Sequence, residues 1–257
     1  KMCDAIPVRV PLREENEFRI NPKDIEEKIT SKTRLIIINS PHNPTGSVLT
    51  KDDFKEIYEI AKKHDVYLYS DEIYARMLYE NSDFNSPSIY DSCSERVIIS
   101  NGFSKSFAMT GWRLGAVIGP VNVIERMAML LQTTSSCVSP FIQIAGMEAI
   151  TGNQNKVKEM LDEYEQRRNI LYDGLNSIQG ISCVKPGGAF YIFANITKTG
   201  LSSDEFSNHL LDDAGVSVLP GTNFGEYGEG YVRLCYATNK ENIVEGLKRI
   251  KKYVEQL

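Results

Sequence analysis

Apolar residues along this chain recur in two patterns, short unbroken runs and helical stripes. Leu35-Ile36-Ile37-Ile38-Asn39 is an unbroken run of the kind buried on both faces of a parallel sheet. It breaks into the turn-rich Ser40-Pro41-His42-Asn43-Pro44-Thr45-Gly46. A helix is predicted over residues 51–64, with Thr50 as N-cap and Asp52 and Asp53 complementing the positive end of its dipole. Strands follow at 66–70, ending in Asp71-Glu72-Ile73-Tyr74, and at 97–100, ending in Asn101-Gly102-Phe103-Ser104-Lys105. A loop containing Asn81, Ser82, Pro87 and Ser88 joins them, and a short strand at 115–119 precedes a helix at 121–131. Strands alternating with helices predict βαβ units and a mostly parallel sheet.

After Pro140 the texture changes. The apolar stretch 141–150 predicts a buried helix, and the charged stretch 155–178 a long amphipathic one. Strands at 181–184, 190–196 and 231–237 and helices at 203–214 and 240–255 complete a smaller α+β module. The expected division is 1–152 and 153–257.

Composition narrows the function classes. Lys+Arg number 29 against 34 Asp+Glu, a formal net charge of −5, with no basic block. Nucleic acid and anionic membrane are therefore poor partners. No apolar run reaches the roughly 20 residues of a membrane span. The cysteines (Cys3, Cys93, Cys137, Cys183, Cys235) are odd in number, far apart and without a C-x-x-C pair. That argues against a disulfide framework or a metal site and for a cytoplasmic protein. The opening Lys1-Met2-Cys3-Asp4 has no signal-peptide core and reads as the interior of a longer chain.

Three strands are followed by polar groups of different type: Asn43, Asp71 and Lys105. In parallel α/β sheets ligands bind beyond the carboxyl ends of the strands, so an amide, a carboxylate and an ammonium are expected near one cavity. Each has a plainer reading: Asn43 as a turn residue, Asp71 as a cap, Lys105 as a solvated loop lysine. Lys105 is the sole charged residue between Arg96 and Arg113, among Phe103, Phe107, Met109 and Trp112. That setting suggests a semi-buried amine able to act as nucleophile or proton carrier. His64 and His209 read as surface residues, and His42, in the Asn43 turn, as a turn filler or as a residue lining the site. Nucleotide fingerprints and a G-x-S-x-G elbow are missing.

Taken together, residues 40–46, Asp71-Glu72-Ile73-Tyr74 and Ser104-Lys105-Ser106-Phe107-Ala108-Met109-Thr110-Gly111-Trp112-Arg113-Leu114-Gly115 resemble the class I/II aminotransferases, fold type I pyridoxal-phosphate enzymes of the aspartate aminotransferase superfamily. Lys185-Pro186-Gly187-Gly188-Ala189-Phe190-Tyr191 and Tyr231-Val232-Arg233-Leu234 match too, in the family's order. The resemblance implies an α/β fold: the mostly parallel sheet of a large domain, incomplete at its N-terminus, plus a smaller α+β C-terminal domain. It implies pyridoxal 5'-phosphate (PLP) as cofactor, amino acid and 2-oxo acid as substrates, and a homodimer.

Residue by residue, Lys105 resembles the lysine that holds PLP and moves the proton between substrate Cα and cofactor. Asp71 resembles the carboxylate paired with the pyridine nitrogen. Asn43 and Tyr74 resemble the donors to the phenolic oxygen, and Arg113 the partner of the phosphate. Arg233 resembles the arginine that grips the substrate α-carboxylate. Many members place a serine three residues before the lysine, where this chain has Gly102. The family's N-terminal segment is missing, so apolar surface is expected to lie open. The leading reading is an aminotransferase for aspartate-like or aromatic amino acids. A PLP-dependent carbon–sulfur β-lyase and an inactive fragment needing its N-terminal part stay open as alternatives.

Overall fold

The computed structural model describes residues 4–79 and 82–257; Cys3 and Asn81 lie outside them. The chain divides into two compact units, one built from Asn21–Pro41 and Val48–Leu161, the other from the residues up to Ile20 with His42–Ser47 and Asp162–Leu257.

The first unit contains α1 (Pro22–Glu26), β1 (Leu35–Asn39), α2 (Lys51–Lys63), β2 (Tyr67–Asp71), α3 (Ser88–Asp91), β3 (Val97–Gly102), α4 (Phe103–Ser106), β4 (Gly115–Ile118), α5 (Val121–Thr134) and α6 (Pro140–Thr151). α2 starts where the sequence places it because Thr50 and Asp53 form a reciprocal capping box. It buries Phe54, Ile57, Tyr58 and Ala61, one face at helical spacing. The sheet order is β1-β2-β3-β4, with β1, β2 and β3 parallel and β4 antiparallel to β3. Asn39 and Asp71, the last residues of β1 and β2, stand in register with Ser100, two residues before the end of β3. Asn39 Nδ2 donates to the Asp71 carbonyl at 2.9 Å, and Glu72 N to the Ser100 carbonyl at 2.8 Å, so the strand ends are tied laterally.

One expectation fails here. The stretch 141–150 is helical but not buried: Phe141, Ile144 and Met147 are about two-thirds exposed. α6 buries only Gly146, whose missing Cβ would stand 2.4 Å from Leu114 Cδ2. A helix apolar all round does not declare which side is covered. β4 and α5 likewise bury no residue, so apolar surface lies open on these elements. The loop predicted around Pro87 and Ser88 contains the short helix α3.

α7 (Asn155–Asn176) runs across the division at 161–162. The second unit adds β5 (Ser182–Cys183), β6 (Tyr191–Asn195), α8 (Ser203–Ala214), β7 (Leu219–Pro220), β8 (Tyr231–Cys235) and α9 (Lys240–Val254). Its sheet, β5-β6-β8-β7, is antiparallel throughout. β7, two residues long, carries no sequence signal and was not expected. Strand alternation sorts the two faces. Ala194, Val232 and Leu234 face a core of Leu175, Phe206, Leu210 and Ile250. Tyr191, Phe193, Tyr231 and Arg233 occupy the opposite face by register. Phe18 packs edge-on to Phe193 and Tyr231, and Glu14 accepts from Asn195 and the Tyr231 hydroxyl. Among the described residues no helix is long and apolar enough to cross a membrane.

Candidate active site

Asp71 ends β2, half-buried, with Oδ1 accepting from Ile73 N at 3.1 Å. This local turn fixes the carboxylate and starts the loop that carries buried Tyr74. Lys105 lies in α4, half-buried. Phe103 and Phe107, two residues to either side of it in sequence, stack on each other at 5.4 Å, Met109 is buried and Trp112 is exposed. Arg113 follows with φ 52°, its Nη1 donating to the Thr110 carbonyl at 2.9 Å and its side chain exposed. Gly102 has a local cause: a Cβ there would stand 2.7 Å from Ile73 Cδ1, so a serine would displace Ile73. Asp71, Tyr74, Lys105 and Arg113 all belong to the parallel-sheet unit.

Asn43 and Arg233 belong to the other unit, and they meet. Arg233 Nη1 donates to Asn43 Oδ1 at 2.8 Å. The guanidinium lies between two rings, 4.3 Å from the Tyr191 centroid and 4.9 Å from that of Phe224. Its Nε is buried and unpartnered. A buried N–H without an acceptor is costly, and a carboxylate is the acceptor a guanidinium edge fits best. The Asn43 turn is held by its neighbours: Gly187 N and Gly188 N both donate to the Gly46 carbonyl, at 2.9 and 3.0 Å. Gly46 has φ 70°, and a Cβ would meet Pro186 Cβ at 2.5 Å, so only glycine closes this contact.

His42 serves the turn, its Nδ1 lying 2.9 Å from Thr45 Oγ1, and burial pushes its pKa down to about 4. His64 pairs with Glu26 and His209 is exposed. Burial pushes the Cys183 thiol up to about 12, which makes it a poor nucleophile. Among the described residues no cluster of His, Cys, Asp and Glu could hold a metal.

Two buried charged residues escaped the sequence reading. Glu72, next to Asp71, accepts from Ser70 Oγ and Ser86 Oγ, and burial raises its carboxyl above the usual range. Arg168 is 1% exposed. Its signal was present: it shares a helical stripe with Leu171 and Leu175.

Comparison with known proteins agrees with these features. The family model for aminotransferase class I and II matches residues 1–250. An aspartate aminotransferase of Pyrococcus horikoshii is 47% identical over 257 residues, covering 99% of this chain. Aromatic-amino-acid aminotransferase 2 of Thermococcus litoralis is 46% identical over 252 residues, covering 97% of it. The chain spans 65% and 64% of the lengths of these two relatives. The crystal structure of an aromatic aminotransferase from Pyrococcus horikoshii superposes with a TM-score of 0.95 at 45% identity, covering 97% of this chain and 67% of that one. The α/β architecture is thus that of the fold type I aminotransferases, and the chain belongs to the aminotransferase class I and II family.

Proposed function

We propose that this chain carries the central residues of a PLP-dependent aminotransferase, which moves the amino group of an aspartate-like or aromatic L-amino acid to a 2-oxo acid in two half-reactions. The observation that carries the reading is the placement of Asp71 and Lys105 at the carboxyl ends of adjacent parallel strands, in a chain of aminotransferase family. The donor set suits this cofactor: a carboxylate for its ring nitrogen, a primary amine for its aldehyde, a guanidinium for its phosphate. When bound, PLP supplies an aldehyde that takes up and returns the amino group and a ring that withdraws electrons from the substrate Cα.

The protein's residues do the rest. With PLP bound, the Lys105 amine would hold the aldehyde carbon and then take and return the proton at the substrate Cα. Asp71 would keep the ring nitrogen protonated. Tyr74 and Asn43 would donate to the phenolic oxygen, and Arg113 would pair with the phosphate. Arg233, fixed by Asn43, Tyr191 and Phe224, binds the substrate α-carboxylate through a fork that lysine would not provide. The relatives named above are aminotransferases, and no observation favours a β-lyase. We further propose a cytoplasmic homodimer with functional domains dividing at 152–153.

The test is amino transfer from aspartate and phenylalanine to 2-oxoglutarate by the longest natural polypeptide containing this chain. Lys105→Ala is expected to lose at least about a hundredfold in rate. Undiminished transfer by that variant would overturn the reading. Release of pyruvate and ammonia from a cysteine-type substrate, with no transfer to an oxo acid, would replace it by the lyase.

A further inference from the structure

Arg168 is fully buried, yet none of the roles above uses it. Its Nη1 donates to the Pro186 carbonyl at 3.1 Å. Nη2 donates to Glu165 Oε1 at 3.0 Å and to Asn169 Oδ1 at 2.9 Å, and Nε to the same Asn169 oxygen at 3.1 Å. Burying a guanidinium is expensive, and an apolar side chain of similar size would fill the space at least as well. What the guanidinium adds is a fixed backbone carbonyl at Pro186.

That carbonyl begins a segment on which the Arg233 arm depends. The next two amides, Gly187 N and Gly188 N, hold the Gly46 carbonyl and so the turn containing Asn43. Farther along, Phe190 stacks on Tyr164 at 5.7 Å, and Tyr191 underlies the Arg233 guanidinium. Tyr164 and Arg168 are four residues apart in α7, hence on one face of the helix. The same face therefore holds both ends of residues 186–191.

We infer that Arg168 is a positioning residue for the carboxylate grip. By fixing Pro186 it sets the Asn43 turn and the Tyr191 ring together, and these two, with Phe224 on the other side, set the plane of the Arg233 guanidinium. The inference rests on the reading of Arg233 as the carboxylate-binding arginine. Releasing the segment lets the fork tilt, and a two-point contact loses one of its points.

The test uses the full 257-residue chain, ¹⁵N-labelled, with 2-oxoglutarate as probe and the Arg233 Nε–H resonance, assigned through Arg233→Lys, as readout. Arg168→Met is expected to weaken binding roughly tenfold. Arg168→Lys, whose ammonium still reaches a carbonyl, should recover part of that loss. Leu210→Ala, a fully buried change on the sheet's other face, is the control: it should destabilise in urea but bind as the wild type does. Should Arg168→Met fail to fold, Tyr164→Leu frees the Phe190 end and should weaken binding about threefold by the same reasoning. Wild-type affinity in Arg168→Met, or in Tyr164→Leu where that variant stands in, or equal weakening in Leu210→Ala, would overturn the inference alone. A wild-type chain whose Arg233 signal ignores the probe would overturn the reading of Arg233, and this inference with it.

Discussion

Two helices, one from each unit, treat apolar residues in opposite ways. In the antiparallel-sheet unit, α9 presents Ile243, Ile250 and Tyr253 inward and all three are buried. In the parallel-sheet unit, α6 is the more apolar helix by sequence, yet Phe141, Ile144, Met147 and Ile150 stay exposed. Hydrophobic content therefore does not report burial. A stripe bordered by charge, as in α9, declares its covered face. A helix apolar all round needs a partner surface to define one, and for α6 the described residues supply contact at Gly146.

The largest difference in stability is expected between a buried and an exposed helix position. Phe206→Ala, at 1% exposure in α8, should cost about 3–5 kcal/mol in urea unfolding. Ile144→Ser in α6 should stay within about 0.5 kcal/mol. A loss above about 2 kcal/mol from Ile144→Ser would mean that the face is covered in solution.

Next in size is a pair of opposed pH effects. His42, in the antiparallel-sheet unit, has its pKa pushed down by burial from 6.5 to about 4. Its contribution to stability is present above pH 6.5 and lost as pH falls towards 4. Glu72, in the other unit, has its carboxyl raised above 4.5 by burial. Its contribution is present below pH 4.5 and lost as pH rises through the raised value. Urea titrations across this range should show His42→Gln flattening the acid-side loss and Glu72→Gln flattening the loss on the rising side. Identical slopes in wild type and variant would refute the corresponding assignment.

The smallest effect is expected to be the same in both units. Each unit has a helix that opens with a capping box, Thr50 with Asp53 and Ser202 with Glu205. Thr50→Ala should cost about 1 kcal/mol, and Ser202→Ala a similar loss, measured by urea unfolding. Local signals of this kind act alike wherever the helix sits.

Those signals explain what was legible. β1 appears at the residues its apolar run marks, and α2 begins at its Thr50 cap, because strand and cap chemistry are local. β7 was illegible because two residues carry no period. Lys105 stood out as a lone charge among aromatic side chains. The pairing of Asn43 with Arg233, 190 residues apart, could be approached only through family resemblance, since spacing says nothing of it. The burial of Arg168 is masked because a charge on a helix is usually solvated, although its stripe with Leu171 and Leu175 points inward. The burial of Glu72 depends on Ser86, fourteen residues away, which local spacing does not reveal.

Every role proposed for the site turns on Lys105 as the residue that takes up the cofactor. Incubating the chain with PLP, reducing with borohydride and mapping the labelled peptide tests it most directly. Label is expected on Lys105 and absent from Lys105→Arg. Label on another lysine, or equal label in that variant, would contradict it.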